Sequence, residues 1–351
     1  MRNRITYIYP IKHRVSFQFV AKKHIELLRK YGIEVQEVDE KNIDVDKLDP
    51  VTIIHPIFYI LYGNHAQLLR KILKKVDTLI GFEVCDTSHI TPLASYTASQ
   101  FDVVVLPSTW CKEVFAKSGV MTRLEVIPHG IDDIFLRDDI EPKDEDVKNI
   151  RELKGFKVLF FLWHSGYRKG ADIVANALAR LNRKYHNVYL IVKMVDILDP
   201  LMRFLMFVPN TIFIMKWLSK EDLVALYDSV DLVIVPSRGG GFELNAIEAL
   251  ARRKPVIVSE WGAFNDYCSE CIKAKTRKWV KIFELDALTK HIHDGLGCEA
   301  DPIDLAEKIE YVMNNYDEVL KHYEPIFERV RREYTWDRVG EKLYGLIREF
   351  L

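Results

Sequence analysis

The sequence predicts an α/β chain built from two parallel-sheet domains, and three observations carry that reading. Apolar runs such as 232–235 and 256–258 read as strands buried on both faces, the pattern of parallel sheets. Amphipathic segments separate such runs along all 351 residues, a length that suits about two domains of roughly 100–200 residues each. Between residues 137 and 154, RDDIEPKDEDVKNIRELK, charge replaces apolar periodicity, as expected of an exposed linker. Domains are therefore expected at 1–140 and 155–335, with a closing helix at 336–351.

The first half opens with a strand at 5–9 and a helix at 17–31 that turns Phe17, Val20, Ile25 and Leu28 inward and stops at Gly32. The loop between them gathers Lys12, His13 and Arg14, either contacts for an anionic acceptor or a solvated basic loop. Strands recur at 34–38 and 51–55. Residues 65–76, HAQLLRKILKKV, form a basic amphipathic helix; such a helix lies on an anionic membrane, or covers a sheet with its charged face in water. The strand at 78–84 ends in Glu83, Cys85, Asp86, Thr87 and His89. Open α/β sheets gather their chemistry at the carboxyl ends of strands, so Glu83 and Asp86 are catalytic candidates. Capping of the following helix is the other reading. A strand at 102–107 completes this half before the linker.

The second alternation starts at 157–163 and turns through His164, Arg168, Lys169 and Gly170. Strands at 188–194 and 212–217 follow, and Ser219 with Asp222 makes a capping box for the next helix. The stretch 236–259 organises the chain: strand, glycine turn, helix, strand. Gly239, Gly240 and Gly241 can take backbone angles closed to other residues, and the helix expected from about Phe242 offers unpaired N–H groups and a positive dipole end, an anion site. Mid-helix Glu248, beside Ala249 and Ala251, can accept two hydrogen bonds from vicinal sugar hydroxyls. Cys268 and Cys271 read as a local disulfide or two free thiols, since no second Cys-x-x-Cys completes a zinc site. A β-rich excursion at 271–282 and a helix at 301–316 precede the last helix.

With 50 Lys and Arg against 51 Asp and Glu, net charge −1, the composition does not suggest a nucleic-acid partner. No apolar run reaches the ~20 residues of a membrane span, and no signal peptide is read, so a cytoplasmic protein is expected, with peripheral membrane contact through 65–76 the one exception in view. A nicotinamide dehydrogenase is disfavoured because no G-x-G-x-x-G follows the first strand.

The central stretch resembles the signature of the retaining glycosyltransferases of family 4. Pro236, Ser237, Gly241, Phe242, Leu244, Glu248, Ala249, Ala251, Pro255, Val256 and Ile257 stand where that family has them. Lys169, Gly170 and Asp172 match a second family motif, with His164 at the family's arginine position, and 127–132 resembles a third, with His129 replacing asparagine. The resemblance covers most of the chain. It implies a GT-B fold, two Rossmann-like doubly wound domains facing a cleft, with the C-terminal helix returning to the first. It also implies transfer of a hexose-type sugar, with retention, from a nucleotide diphosphate sugar to the hydroxyl of a glycan, lipid or protein-linked acceptor, with no metal and no other cofactor.

The donor diphosphate would rest on Lys169, assisted by Arg168 or His164, with Gly239, Gly240, Gly241, Phe242 and Leu244 lining the site. Glu248 would hold the ribose, and Trp217 either stacks on the base or belongs to the core. The glutamate that contacts the donor sugar in relatives falls on Gly240, while Glu243 stands where relatives have glycine, so Glu243 joins Lys169, Glu83 and Asp86 as catalytic candidates. The acceptor is expected in the cleft near Glu83 and Asp86. A sugar-nucleotide hydrolase or epimerase, or a non-catalytic donor-binding relative, are the alternative readings.

Overall fold

The computed structural model describes residues 3–61, 66–162, 165–195, 199–283 and 291–351. The chain forms two units, Met1–Gly130 with His291–Asp294 and Tyr334–Leu351, and Ile131–Lys290 with Gly295–Glu333. In the first unit the order is β1 (Arg4–Tyr9), α1 (Ser16–Lys30), β2 (Glu34–Asp39), β3 (Val51–Ile54), α2 (Ile57–Leu61), α3 (Ala66–Lys75), β4 (Thr78–Phe82), α4 (Pro92–Ala98), β5 (Val103–Leu106), α5 (Thr109–Lys117) and β6 (Arg123–Val126). The strands form one sheet in the order β2-β1-β3-β4-β5-β6, and every neighbouring pair is parallel. Alternation along β1 divides the core: Ile5, Tyr7 and Tyr9 join the cluster under α1, and Ile8 joins the one on the opposite face. Burial on both faces is why these strands are written as continuous apolar runs.

The second unit runs α6 (Glu145–Glu152), β7 (Phe156–Phe161), α7 (Gly166–Lys169), α8 (Ala171–Leu181), β8 (Val188–Met194), α9 (Met202–Met206), β9 (Thr211–Met215), α10 (Lys220–Asp228), β10 (Leu232–Val235), α11 (Leu244–Ala251), β11 (Val256–Ser259), β12 (Ile272–Ala274), β13 (Thr276–Val280), β14 (Gly297–Ala300), α12 (Pro302–Asn314) and α13 (Tyr316–Glu333). Its parallel sheet has the order β12-β11-β10-β7-β8-β9, with β13 and β14 a separate antiparallel pair. The last helix, α14 (Trp336–Arg348), belongs to the first unit. It buries Trp336, Val339, Leu343, Leu346 and Ile347 in the α1 cluster, each side chain stabilising by roughly 1.5–3 kcal/mol. Gly340 allows the close approach, because a Cβ there would lie 2.9 Å from Leu27 Cδ2.

The expected linker is not one. Residues 131–154 belong to the second unit, and α6 lies in the middle of the charged stretch. Val147 and Ile150 are fully buried, Asp144 caps the helix, and the Asp222 carboxylate accepts from the Lys143 and Asp144 amides. Two apolar positions three residues apart are enough for one short helix on a ready-made surface, yet too few to register as periodicity. Cys268 and Cys271 form a disulfide. No helix among the described residues is long and apolar enough to cross a membrane.

Candidate functional site

In the second unit the strand order reverses between β7 and β10, each of which pairs with the other and then with a strand leading outward. Helices after these two strands leave on opposite faces of such a sheet, and ligands bind in the crevice this opens at the carboxyl ends. The two loops concerned are 162–170 and 236–243, the same loops that carry the sequence motifs. His164 lies outside the described residues.

The loops are sewn together by their own backbone. Gly170, at φ +82°, lies so near Pro236 that a Cβ would come within 2.5 Å of that residue's carbonyl oxygen. Arg238 N–H donates to the Arg168 carbonyl at 2.7 Å, and the Arg168 guanidinium donates to the Gly239 carbonyl at 3.1 Å. Arg238, which no sequence argument singled out, is the knot. Fully buried, it donates to both oxygens of Asp172 at 2.7 and 2.8 Å, to Glu299 at 2.7 Å and to the Tyr167 carbonyl at 2.7 Å, and lies 3.8 Å from the Tyr167 ring centroid. Asp172 of the family-like motif is thus committed to holding the loop. Asp199 fastens the other end, accepting from Gly166 N–H at 2.8 Å.

Within this frame Lys169, partly buried, donates to the buried carboxylate of Glu243 in an ion pair. The conformation of the turn differs from expectation. None of the three glycines takes a left-handed angle; that falls on Glu243, φ +57°, and the helix begins at Leu244 rather than Phe242. Gly240 is needed for space: a Cβ there would sit 2.3 Å from Glu243 Oε1. The carboxylate of Glu243 therefore occupies the volume into which a side chain at 240 would project. Its Oε1 is buried without a hydrogen-bond partner, an acceptor turned toward the loop. Phe242 does not offer its ring to a ligand. It is buried, packed 5.2 Å from Tyr267, because the chain must re-enter the core before α11 starts.

Glu248 sits one helical turn further on, accepting from the Tyr227 hydroxyl at 2.8 Å. Burial above all pushes its carboxyl up to about 7, with Asp132 adding to the rise and Tyr227 and Lys220 opposing it. Asp132, from the third motif, pairs with Lys220 at 2.5 Å. Lys193, missed by sequence reasoning because a single lysine in an apolar strand carries no pattern, is buried and donates to the Met194 and Lys216 carbonyls. Trp217 is half exposed after β9, out of the core.

In the first unit Glu83 is not a free acid at a strand end. Its carboxylate is buried, accepting from Phe58 N–H at 2.7 Å and Val84 N–H at 2.9 Å, so it caps α2. Burial pushes it up to about 8 despite those donors. The capping alternative applies, although to a helix earlier in the chain than the following one. Asp86 is partly buried beyond it. Lys12 and Arg14 are exposed, while His13 contacts Glu40 at 2.8 Å and the Tyr59 hydroxyl at 3.2 Å. The sheet reversal in this unit, between β1 and β3, has a buried trio instead. The Tyr7 hydroxyl lies 2.9 Å from Nδ1 of both His24 and His55, and burial lowers His24 to about 3 and His129 to about 4. Among the described residues, no three His, Cys, Asp or Glu side chains cluster as metal ligands do.

Residues 156–315 match the family described as Glycosyl transferases group 1. The chain is 31% identical to uncharacterized protein 356 of Sulfolobus islandicus rod-shaped virus 1, over 100% of this chain and 99% of that one. It is 29% identical, over 82% of its length and 78% of the relative's, to a protein of Sulfolobus islandicus filamentous virus that bears the provisional name glycosyltransferase 45. Among solved structures, Anabaena HepE in complex with UDP-glucose superposes with a TM-score of 0.72 at 14% identity, over 99% of each chain.

Proposed function

We propose that this chain, which belongs to the group 1 glycosyltransferases, transfers a hexose from a nucleotide diphosphate sugar to an acceptor hydroxyl with retention at the anomeric carbon. The observation that carries this reading is the Lys169–Glu243 ion pair at the sheet reversal, with Glu248 on the same helix that Glu243 opens. Anabaena HepE, which shares the fold, is described with UDP-glucose, so a nucleotide sugar is the donor to try first. A diphosphate entering the crevice would draw Lys169 away from Glu243, placing positive charge on the leaving group without a metal. The released carboxylate, with its unpartnered Oε1, would then accept from a hydroxyl of the donor sugar.

Lys169→Ala tests this reading. Transfer is expected to slow by roughly 10²–10³, the range for losing one group that stabilises developing charge, with donor affinity read by calorimetry against UDP-, GDP- and ADP-sugars. Turnover close to wild type would move the phosphate site elsewhere. The anomeric coupling of the product, read by NMR, decides retention against inversion.

A pH dependence follows from Glu248. Ribose hydroxyls donate to the ionised carboxylate, so donor binding lowers the carboxyl pKa and releases a proton. With the free group titrating at about 7, donor affinity is expected to be full above that pH and to fall by up to about tenfold per unit below it. Glu248→Gln should bind weakly at every pH and flatten the profile. A wild-type Kd that does not change between about pH 5 and 8 would separate Glu248 from the donor.

A further inference from the structure

The first unit carries an apolar groove that the transfer chemistry does not use. α3 and α4 do not close on one another; the stripe Leu69, Arg70 and Leu73 faces Leu93, Tyr96 and Gln100 across a cavity of about 340 Å³. Phe58 of α2 forms part of the floor. That volume lies within the range of small-ligand sites, roughly 300–1,000 Å³. Its rim is apolar where a water-facing surface is normally polar: Leu93 is 59% exposed and Tyr96 66%.

Charge beside the groove has one sign. Arg70, Lys71, Lys74 and Lys75 are all exposed on α3, residues 66–76 contain no acid, and no described residue lining the groove is acidic. In a chain of net charge −1 this is a local feature. The helical walls pair their backbone groups internally, and the non-helical lining residues His291 and Ile292 have both carbonyls taken by Thr91, so the groove offers no continuous edge for an extended peptide to bond. A hydrocarbon chain needs no such edge.

We propose that this groove binds one hydrocarbon chain of an anionic membrane lipid, with the lipid phosphate held by Arg70 on the groove wall and Lys74 one turn along. A single chain anchors a protein only marginally and a basic patch supplies the second attraction that stable binding takes; here the two are adjacent. The groove belongs to the first unit and the donor loops to the second, and its test does not depend on sugar transfer.

The experiment is flotation of the full chain with vesicles of phosphatidylcholine alone, and of phosphatidylcholine mixed with phosphatidylglycerol, at low and high salt. The chain is expected on the mixed vesicles and not on the neutral ones. Each basic residue near an anionic surface contributes about fivefold, so the Arg70→Gln, Lys74→Gln variant should lose roughly 25-fold. Leu93→Ser with Tyr96→Ser changes only exposed side chains and should also release the protein; a spin-labelled acyl chain should quench nothing in that variant. No binding to mixed vesicles overturns the proposal. Binding that depends on Arg70 and Lys74 but survives the Leu93 and Tyr96 changes overturns the groove, leaving surface charge alone.

Discussion

Exchanging two residues of the glycine turn, in a Gly240→Glu, Glu243→Gly double variant, is expected to return much of the sugar transfer that either single change removes. The reason is steric and electrostatic together. A Cβ at 240 would stand 2.3 Å from Glu243 Oε1, so Gly240→Glu alone displaces the existing carboxylate and sets a second negative charge against it. Glu243→Gly alone breaks the ion pair with Lys169 and removes the carboxylate proposed to accept from the donor sugar. Each single change should lower kcat by about 10²–10³. The pair restores one carboxylate to nearly the same volume, now rooted on the other side of the turn.

Stability should change far less than activity for one of them. Glu243 holds a left-handed backbone angle, which costs a residue with a Cβ roughly 1–2 kcal/mol and glycine very little. Relief of that strain offsets part of what losing the Lys169–Glu243 pair costs, so Glu243→Gly is expected to shift the melting temperature little while activity collapses. The exchange idea fails if Glu243→Gly turns over normally, or if the double variant is no better than the worse single one. Coupling of this size is the signature of two residues sharing one site.

The second large effect is on stability. Arg238→Met should destabilise the second unit by roughly 3–5 kcal/mol, because it leaves the Asp172 and Glu299 carboxylates without their shared cation. For a domain of this size that is a fall in melting temperature of about 10 °C. Neutralising the partners as well, in Arg238→Met, Asp172→Asn, Glu299→Gln, should recover most of the loss, since no buried charge is then unpaired. Thermal melts of the two variants decide the matter. Equal instability would mean that the cost lies in packing against Tyr167, 3.8 Å from the guanidinium.

The candidate residues legible in the sequence are those where chemistry repeats a local pattern. Lys169, Glu243 and Glu248 stand at fixed spacings from glycines and strand ends, and those spacings survive folding because each motif is one strand, one loop and one helix. Arg238 and Asp199 escaped because their partners lie 66 and 33 residues away. The amide partner of Glu83 escaped for the same reason: Phe58 belongs to a different strand–helix unit, 25 residues earlier. The groove between α3 and α4 was legible only as half of itself, a basic amphipathic helix.

By itself the sequence determined the alternation of buried strands and covering helices, hence two parallel sheets, and the identity of the loops at their carboxyl ends. Those are consequences of apolar period and glycine placement, which act over a few residues. Only the tertiary structure decided which strands are neighbours, and therefore that the loops after β7 and β10 meet at a reversal of strand order. It also decided that the carboxylate of Glu243 fills the space beside Gly240, and that the charged stretch at 144–152 is a buried-face helix rather than a linker. Each of these depends on distances between segments far apart in the chain, and no spacing along the sequence encodes such a distance.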